Sequence, residues 1–182
     1  MDRGYAVVDV ETSGLSPTND HVLEIGIVLL DHNCQVEGEW TTRIRQPFGR
    51  SVGPTHIHGL TWWSLRHGDS IESAMSHTAD LLRSRTMVAH NAPFDSGFLR
   101  SEANRCGFQM QINGPLCTLD MARQITQSSQ HVSHRLADVC ARYEIRPVQA
   151  QRALEDARAC AQLLPKLLAE LAITEPLQTP QT

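Results

Sequence analysis

Residues Tyr5–Val10 read as a buried, β-branched strand, and two carboxylates, Asp9 and Glu11, stand two residues apart at its end. In a strand that spacing puts both on one face. The neighbouring residues are apolar, so these charges sit where burial should exclude them. Unpaired, they repel, and at least one pKa must rise. A divalent cation between them resolves the conflict; a strand end running into a solvated turn is the plainer alternative.

The rest of the chain supplies a frame for that strand. Thr12–Asp20 carries Ser-Gly, Pro and Asn-Asp and reads as a turn. His21–Leu30 and Gln35–Ile44 read as two further strands, which complete an antiparallel meander. Gln46–Gly59 is rich in Pro, Gly and His and reads as a surface loop. Helical spacing follows over Ile71–Arg83, then a short buried strand over Thr86–Ala89. Pro93 opens a helix that reaches Arg105 and stops at Gly107. Leu116–Leu119 is a short strand, Asp120–Ile125 a short helix, and Ser133 a candidate N-cap for a helix to Tyr143. The last helix spans Ala153–Ala172, with a kink expected at Pro165 and a frayed tail over 173–182. This order predicts an α/β domain over residues 1–172: a mixed five-stranded sheet flanked by helices, in which a crossover follows the meander.

At 182 residues and 41 % apolar content, one domain with a sizeable core is expected. No apolar run is long enough to span a membrane, and no signal-peptide segment precedes the first strand, so a cytoplasmic protein is expected. The net charge of −4 excludes binding of nucleic acid by bulk positive charge. Cys34, Cys106, Cys117, Cys140 and Cys160 show no zinc spacing and read as reduced thiols.

Two more acids stand out. Asp95 follows the short buried strand and falls in the first turn of a helix, where it would also suit the helix dipole. Asp156 lies at the edge of an apolar arc formed by Leu154, Ala157, Ala161, Leu164, Leu168 and Leu171, beside Cys160, Leu163 and Leu167. A carboxylate at a core margin needs a partner. Asp9, Glu11, Asp95 and Asp156 together would suit two hard cations about 4 Å apart, the arrangement that activates water and stabilises the leaving oxygen in phosphodiester hydrolysis.

These segments resemble the DEDD exonuclease family, particularly the proofreading-subunit type of bacterial DNA polymerase III. Val7-Val8-Asp9-Val10-Glu11-Thr12-Ser13-Gly14-Leu15, Glu24-Ile25-Gly26, Ile57-His58-Gly59-Leu60-Thr61, Val88-Ala89-His90-Asn91-Ala92-Pro93-Phe94-Asp95 and Arg152-Ala153-Leu154-Glu155-Asp156-Ala157 match its motifs in order, over about residues 5–170. The resemblance implies the ribonuclease-H-like fold, two Mg²⁺ or Mn²⁺ ions held by Asp9, Glu11, Asp95 and Asp156, and release of nucleoside monophosphates from a 3′ end. It implies Thr12, Leu15, His58, Asn91 and Phe94 as neighbours of the terminal nucleotide. The implied partner is a single-stranded DNA or RNA 3′ end. Relatives occur attached to a polymerase subunit and as homodimers, so both partners stay open. His90 and Asn91 read equally well as packing residues.

One departure matters. Where the histidine branch places its general base, five residues before the last Asp, this chain has Gln151; the tyrosine branch's position holds Arg152. An amide orients water but takes no proton at neutral pH, so hydrolysis is expected to be slowed. A catalytically weak nucleic-acid-binding module is the alternative, and RNA or oligonucleotide hydrolysis a further one. His131 and His134 read as solvated loop residues. Trp62 and Trp63 offer either base stacking or loop packing. Arg100, Arg105, Arg135 and Arg142 read as flanks of a nucleic-acid path or as a solvated face.

Overall fold

The computed structural model describes residues 4–126, 132–146 and 152–174. β1 (Tyr5–Thr12), β2 (Val22–Leu30) and β3 (Val36–Arg43) form the expected antiparallel meander. The following segment, read as loop, contains two single-turn helices, α1 (Thr55–His58) and α2 (Trp62–Leu65). The second starts where the Thr61 side chain accepts from the Ser64 N–H and Ser64 reciprocates, a capping box built on serine.

α3 (Ile71–Leu82), β4 (Thr86–Ala89) and α4 (Ala92–Arg105) follow, then the two-residue β5 (Leu116–Cys117), α5 (Thr118–Ile125), α6 (Leu136–Arg142) and α7 (Ala153–Thr174). Ser133 does not cap α6: Arg135 holds the N-cap position without a side-chain bond, and the Ser133 hydroxyl donates to Asp138 instead. α7 continues through Pro165 as one element to Thr174. The rest of the expected tail, 175–182, lies outside the described residues.

The sheet order is β3-β2-β1-β4-β5, with β4 and β5 parallel to β1. β1 is therefore central, and its two faces feed different cores. Ala6, Val8 and Val10 pack with Met75 of α3 and with Phe98 and Leu99 of α4. Val7 packs with Ala157, Cys160 and Leu164 of α7. The far side of α7 is covered too, because Ala159, Leu163 and Leu167 meet Ala122 of α5 and Val139 and Cys140 of α6. The buried surface of this helix thus extends beyond the single apolar stripe expected for it. The cysteines are free thiols, with Cys140 and Cys160 buried and the other three half-buried. Among the described residues no helix is long and apolar enough to cross a membrane.

Candidate active site

Strand alternation puts Asp9 and Glu11 on the face that Val7 presents to α7. They continue its row beyond the end of the apolar packing. On β2, Gly26 lies opposite Asp9 and Glu24 opposite Glu11. Gly26 is glycine for a steric reason: a Cβ there would fall 2.3 Å from the Ala153 carbonyl carbon and from the Leu154 amide nitrogen. The first turn of α7 therefore rests directly on β2 backbone, which brings Asp156 against β1. Asp9, Glu11 and Asp156 each offer a carboxylate oxygen, all within 4.8 Å of one another.

Asp95 reaches the same place by another route. β4 pairs with β1 no further than Val7–Val88, so the Val10 N–H has no strand partner on that side. Asp95, in the first turn of α4, accepts that N–H at 3.1 Å and is 3 % exposed. It lies outside the three-oxygen cluster but close enough to Asp9 to act on it electrostatically.

This crowding shows in the acid strengths. Burial, then Asp95, Asp156, Glu11 and Glu24, hold the Asp9 carboxyl well above its usual range. Glu11 is pushed up to about 7, chiefly by burial and then by Asp156 and Glu24, against a lowering pull from Arg152. Burial raises Asp95 to about 8, although the Val10 N–H favours its anion. Such a set of mutually repelling oxygen donors is the chemistry that suits a hard divalent cation.

Sequence reasoning assigned no role to Glu24. It is 2 % exposed and accepts from the Arg152 guanidinium at 2.9 and 3.2 Å, from Arg43 at 3.2 Å and from the Ala153 N–H at 3.3 Å. It therefore fastens the N-terminus of α7 to β2. The signal was a lone carboxylate inside an apolar strand. Arg152, at the tyrosine-branch position, is committed to this ion pair. Gln151 and His131 lie outside the described residues.

The other flagged residues divide. Leu15 is 84 % exposed at the tip of the turn after β1. That turn is held by Arg105, which donates to the carbonyls of Pro17, Thr18 and Asp20, and by the Ser101 hydroxyl on Pro17. Arg100 likewise donates to the Ile112 carbonyl, so neither arginine is merely a solvated charge. The Thr12 hydroxyl bonds the Gly14 carbonyl. His58 is buried: its Nδ1 accepts the Leu60 N–H and its Nε2 bonds the Val52 carbonyl, so both ring nitrogens serve its own loop.

Asn91 is exposed, in the left-handed region at φ 76°, where α4 begins without a side-chain cap. Phe94 is half-buried against Phe98. His90 bonds the Thr118 hydroxyl and the His134 carbonyl, and burial lowers its pKa. His134, half-buried in the loop before α6, bonds the Thr126 hydroxyl through its ring at 2.8 Å.

The family model described as RNase_T, an exonuclease, matches residues 6–164. The chain is 29 % identical over 171 residues to the PolC-type DNA polymerase III of Caldanaerobacter subterraneus, covering 94 % of this chain and 12 % of that one. It is 30 % identical over 170 residues to a putative bifunctional exonuclease/endonuclease protein of Mycobacterium tuberculosis, covering 90 % and 26 %. It thus spans a small part of the curated relatives it matches. In fold it is similar to E. coli exonuclease I in complex with a dA16 oligonucleotide, at TM-score 0.83 and 16 % identity over 93 % of this chain and 41 % of that one. It is similar also to the nuclease domain of 3′hExo, a DEDDh family member bound to rAMP, at TM-score 0.76 and 12 % identity over 91 % and 92 %.

Proposed function

The chain belongs to the RNase_T exonuclease family, and from that premise we propose that it is a metal-dependent 3′→5′ exonuclease acting on single-stranded DNA, slowed by Gln151. The observation that carries the reading is the convergence of Asp9 and Glu11 of β1 with Asp156 of α7, with Asp95 of α4 behind them. The residues fit the cations that the family implies. Their carboxyls are raised by burial and mutual repulsion, the condition that a positive counter-charge relieves. Two divalent ions held by Asp9, Glu11, Asp95 and Asp156 would lower the pKa of water and neutralise charge on the leaving 3′-oxygen.

The chain's own residues do the rest. Glu24 and Arg152 hold the first turn of α7 in place, so that Asp156 keeps its distance from β1. Leu15, on its pinned turn, offers an apolar contact to a terminal base, and Asn91 and Phe94 would be further contacts to it. Gln151 orients a water without taking its proton, which lowers the rate by about 10²–10⁴ relative to a histidine there. A strand delivered by a polymerase is in keeping with the PolC-type relatives.

A 3′-labelled single strand incubated with Mn²⁺ tests this. Wild type should release labelled mononucleotide, Gln151→His should do so faster by roughly that factor, and Asp9→Ala should be inert. Activity in Gln151→His alone would favour the second reading, a nucleic-acid-binding module that has lost hydrolysis; Gln151 itself is what speaks for it. Cleavage that persists in EDTA would refute both.

A further inference from the structure

The segment between β3 and α3 carries a surface that the carboxylate site does not use. Phe48 meets Trp62 with ring centroids 5.3 Å apart, and Trp62 meets Trp63 at 5.4 Å, both edge-on. Two of the three rings are left in solvent, Phe48 at 89 % and Trp63 at 68 % exposure. The Arg66 guanidinium lies 4.7 Å from the centre of the Trp63 ring. With Arg50 and His67 these rings border an open depression of about 610 Å³. No acidic or aliphatic side chain among the described residues lines it, in a chain whose net charge is −4.

The patch is held in continuity with the acids. Gly53, at φ +73°, lies so close to the turn after Glu11 that a Cβ would fall 2.0 Å from the Ser13 carbonyl oxygen. Leu60 and Leu65 pack on Leu23, the residue before Glu24. The Trp62 indole N–H donates to the Pro47 carbonyl, which ties the loop that carries Phe48 to the turn that carries the two tryptophans.

The occupant follows from the chemistry. Flat, exposed rings with guanidinium groups and no acids suit a ligand with planar faces and an anionic backbone. A base-paired duplex hides its faces. The missing aliphatic wall and the missing acids both argue against a pocket for an apolar or basic protein side chain. We infer that Phe48, Trp62, Trp63, Arg50 and Arg66 form a stacking subsite for unpaired bases of the nucleic-acid strand whose 3′ end lies at the acids. This rests on the exonuclease reading for the strand's direction.

The test separates the two. Anisotropy of 5′-fluorescein oligothymidylates, a dinucleotide and a strand of about ten nucleotides, is measured in EDTA, where no cleavage occurs. Wild type should gain affinity on lengthening. Trp63→Ala and Phe48→Ala, both exposed enough to leave the core intact, should each lose about 5- to 100-fold of that gain. An abasic strand of the same length should bind wild type more weakly by a like factor, and Trp63→Ala should weaken it no further.

Equal binding of the long strand by wild type and variants overturns the inference, as does abasic binding as tight as normal. So does unchanged oligonucleotide affinity joined to a dimer-to-monomer change in sedimentation, which would make the patch a self-association surface. A parallel Mn²⁺ digest without any cleavage would end the exonuclease reading while leaving the EDTA result standing.

Discussion

Gly26→Ala tests the claim that one backbone contact sets the geometry of the acids. The added methyl would lie 2.3 Å from two backbone atoms of α7, where ordinary contact begins at 3.4 Å. The obstacles are the Ala153 carbonyl carbon and the Leu154 amide nitrogen, so no side chain can swing aside. The strand and the helix must part by about 1 Å, an overpacking that costs about 1–3 kcal/mol and lowers Tm by roughly 2–12 °C. Asp156 sits in that displaced turn, in a cluster whose carboxylate oxygens all lie within 4.8 Å of one another. Metal ligation tolerates distance errors of about 0.2 Å, so Mn²⁺ uptake by calorimetry should fall sharply. A misplacement of this size should also cost about 10²-fold in hydrolysis. Gly38→Ala is the control, because its methyl would meet only Leu29 Cδ1 at 3.9 Å; it should stay within about 0.5 kcal/mol of wild type. A Gly26→Ala protein that melts earlier yet binds Mn²⁺ and cleaves within about threefold of wild type would refute the reasoning.

Four further outcomes are expected. The raised carboxyls mean that the metal-free fold holds protons that the unfolded chain releases, so stability is lost as pH rises through about 7 to 8; Tm in EDTA should fall between pH 6.5 and 8.5, above the range where His58 and His90 titrate, and a flat or rising Tm would contradict this. Saturating Mn²⁺ should raise Tm more at the upper end of that range, since its ligands must be deprotonated. Glu24→Gln leaves Arg43 and Arg152 without their anion and should cost about 1–3 kcal/mol in urea, discounted because both arginines are partly exposed. Asp95→Asn keeps an acceptor for the Val10 N–H whereas Asp95→Ala does not, so Asn should be the more stable by about 1–3 kcal/mol while both lose hydrolysis; equal stabilities would show that the bond to Val10 contributes nothing.

Much of the site was legible in the sequence because its elements obey local rules. The i, i+2 spacing of Asp9 and Glu11 is enough to put them on one face, and the helical repeat is enough to put Asp156 beside Cys160 and Leu163 on the inner side. The two short helices around His58 and Trp62 were not legible, since single turns lack the length over which periodicity can be read. Ser133 was misread as a cap because the composition of a loop does not say which acceptor its hydroxyl will meet.

From residues alone came the succession of strands and helices, the mixed sheet and the four acids as candidates, because the elements follow from repeats of two and of 3.6 along one chain segment. The tertiary structure alone decided how far apart the acids stand. It also set the capture of the Val10 N–H by Asp95 and the commitment of Arg152 to Glu24. Those are contacts between elements far apart in sequence. Their distances depend on which backbones meet, as at Gly26 and Ala153, and no local periodicity encodes that.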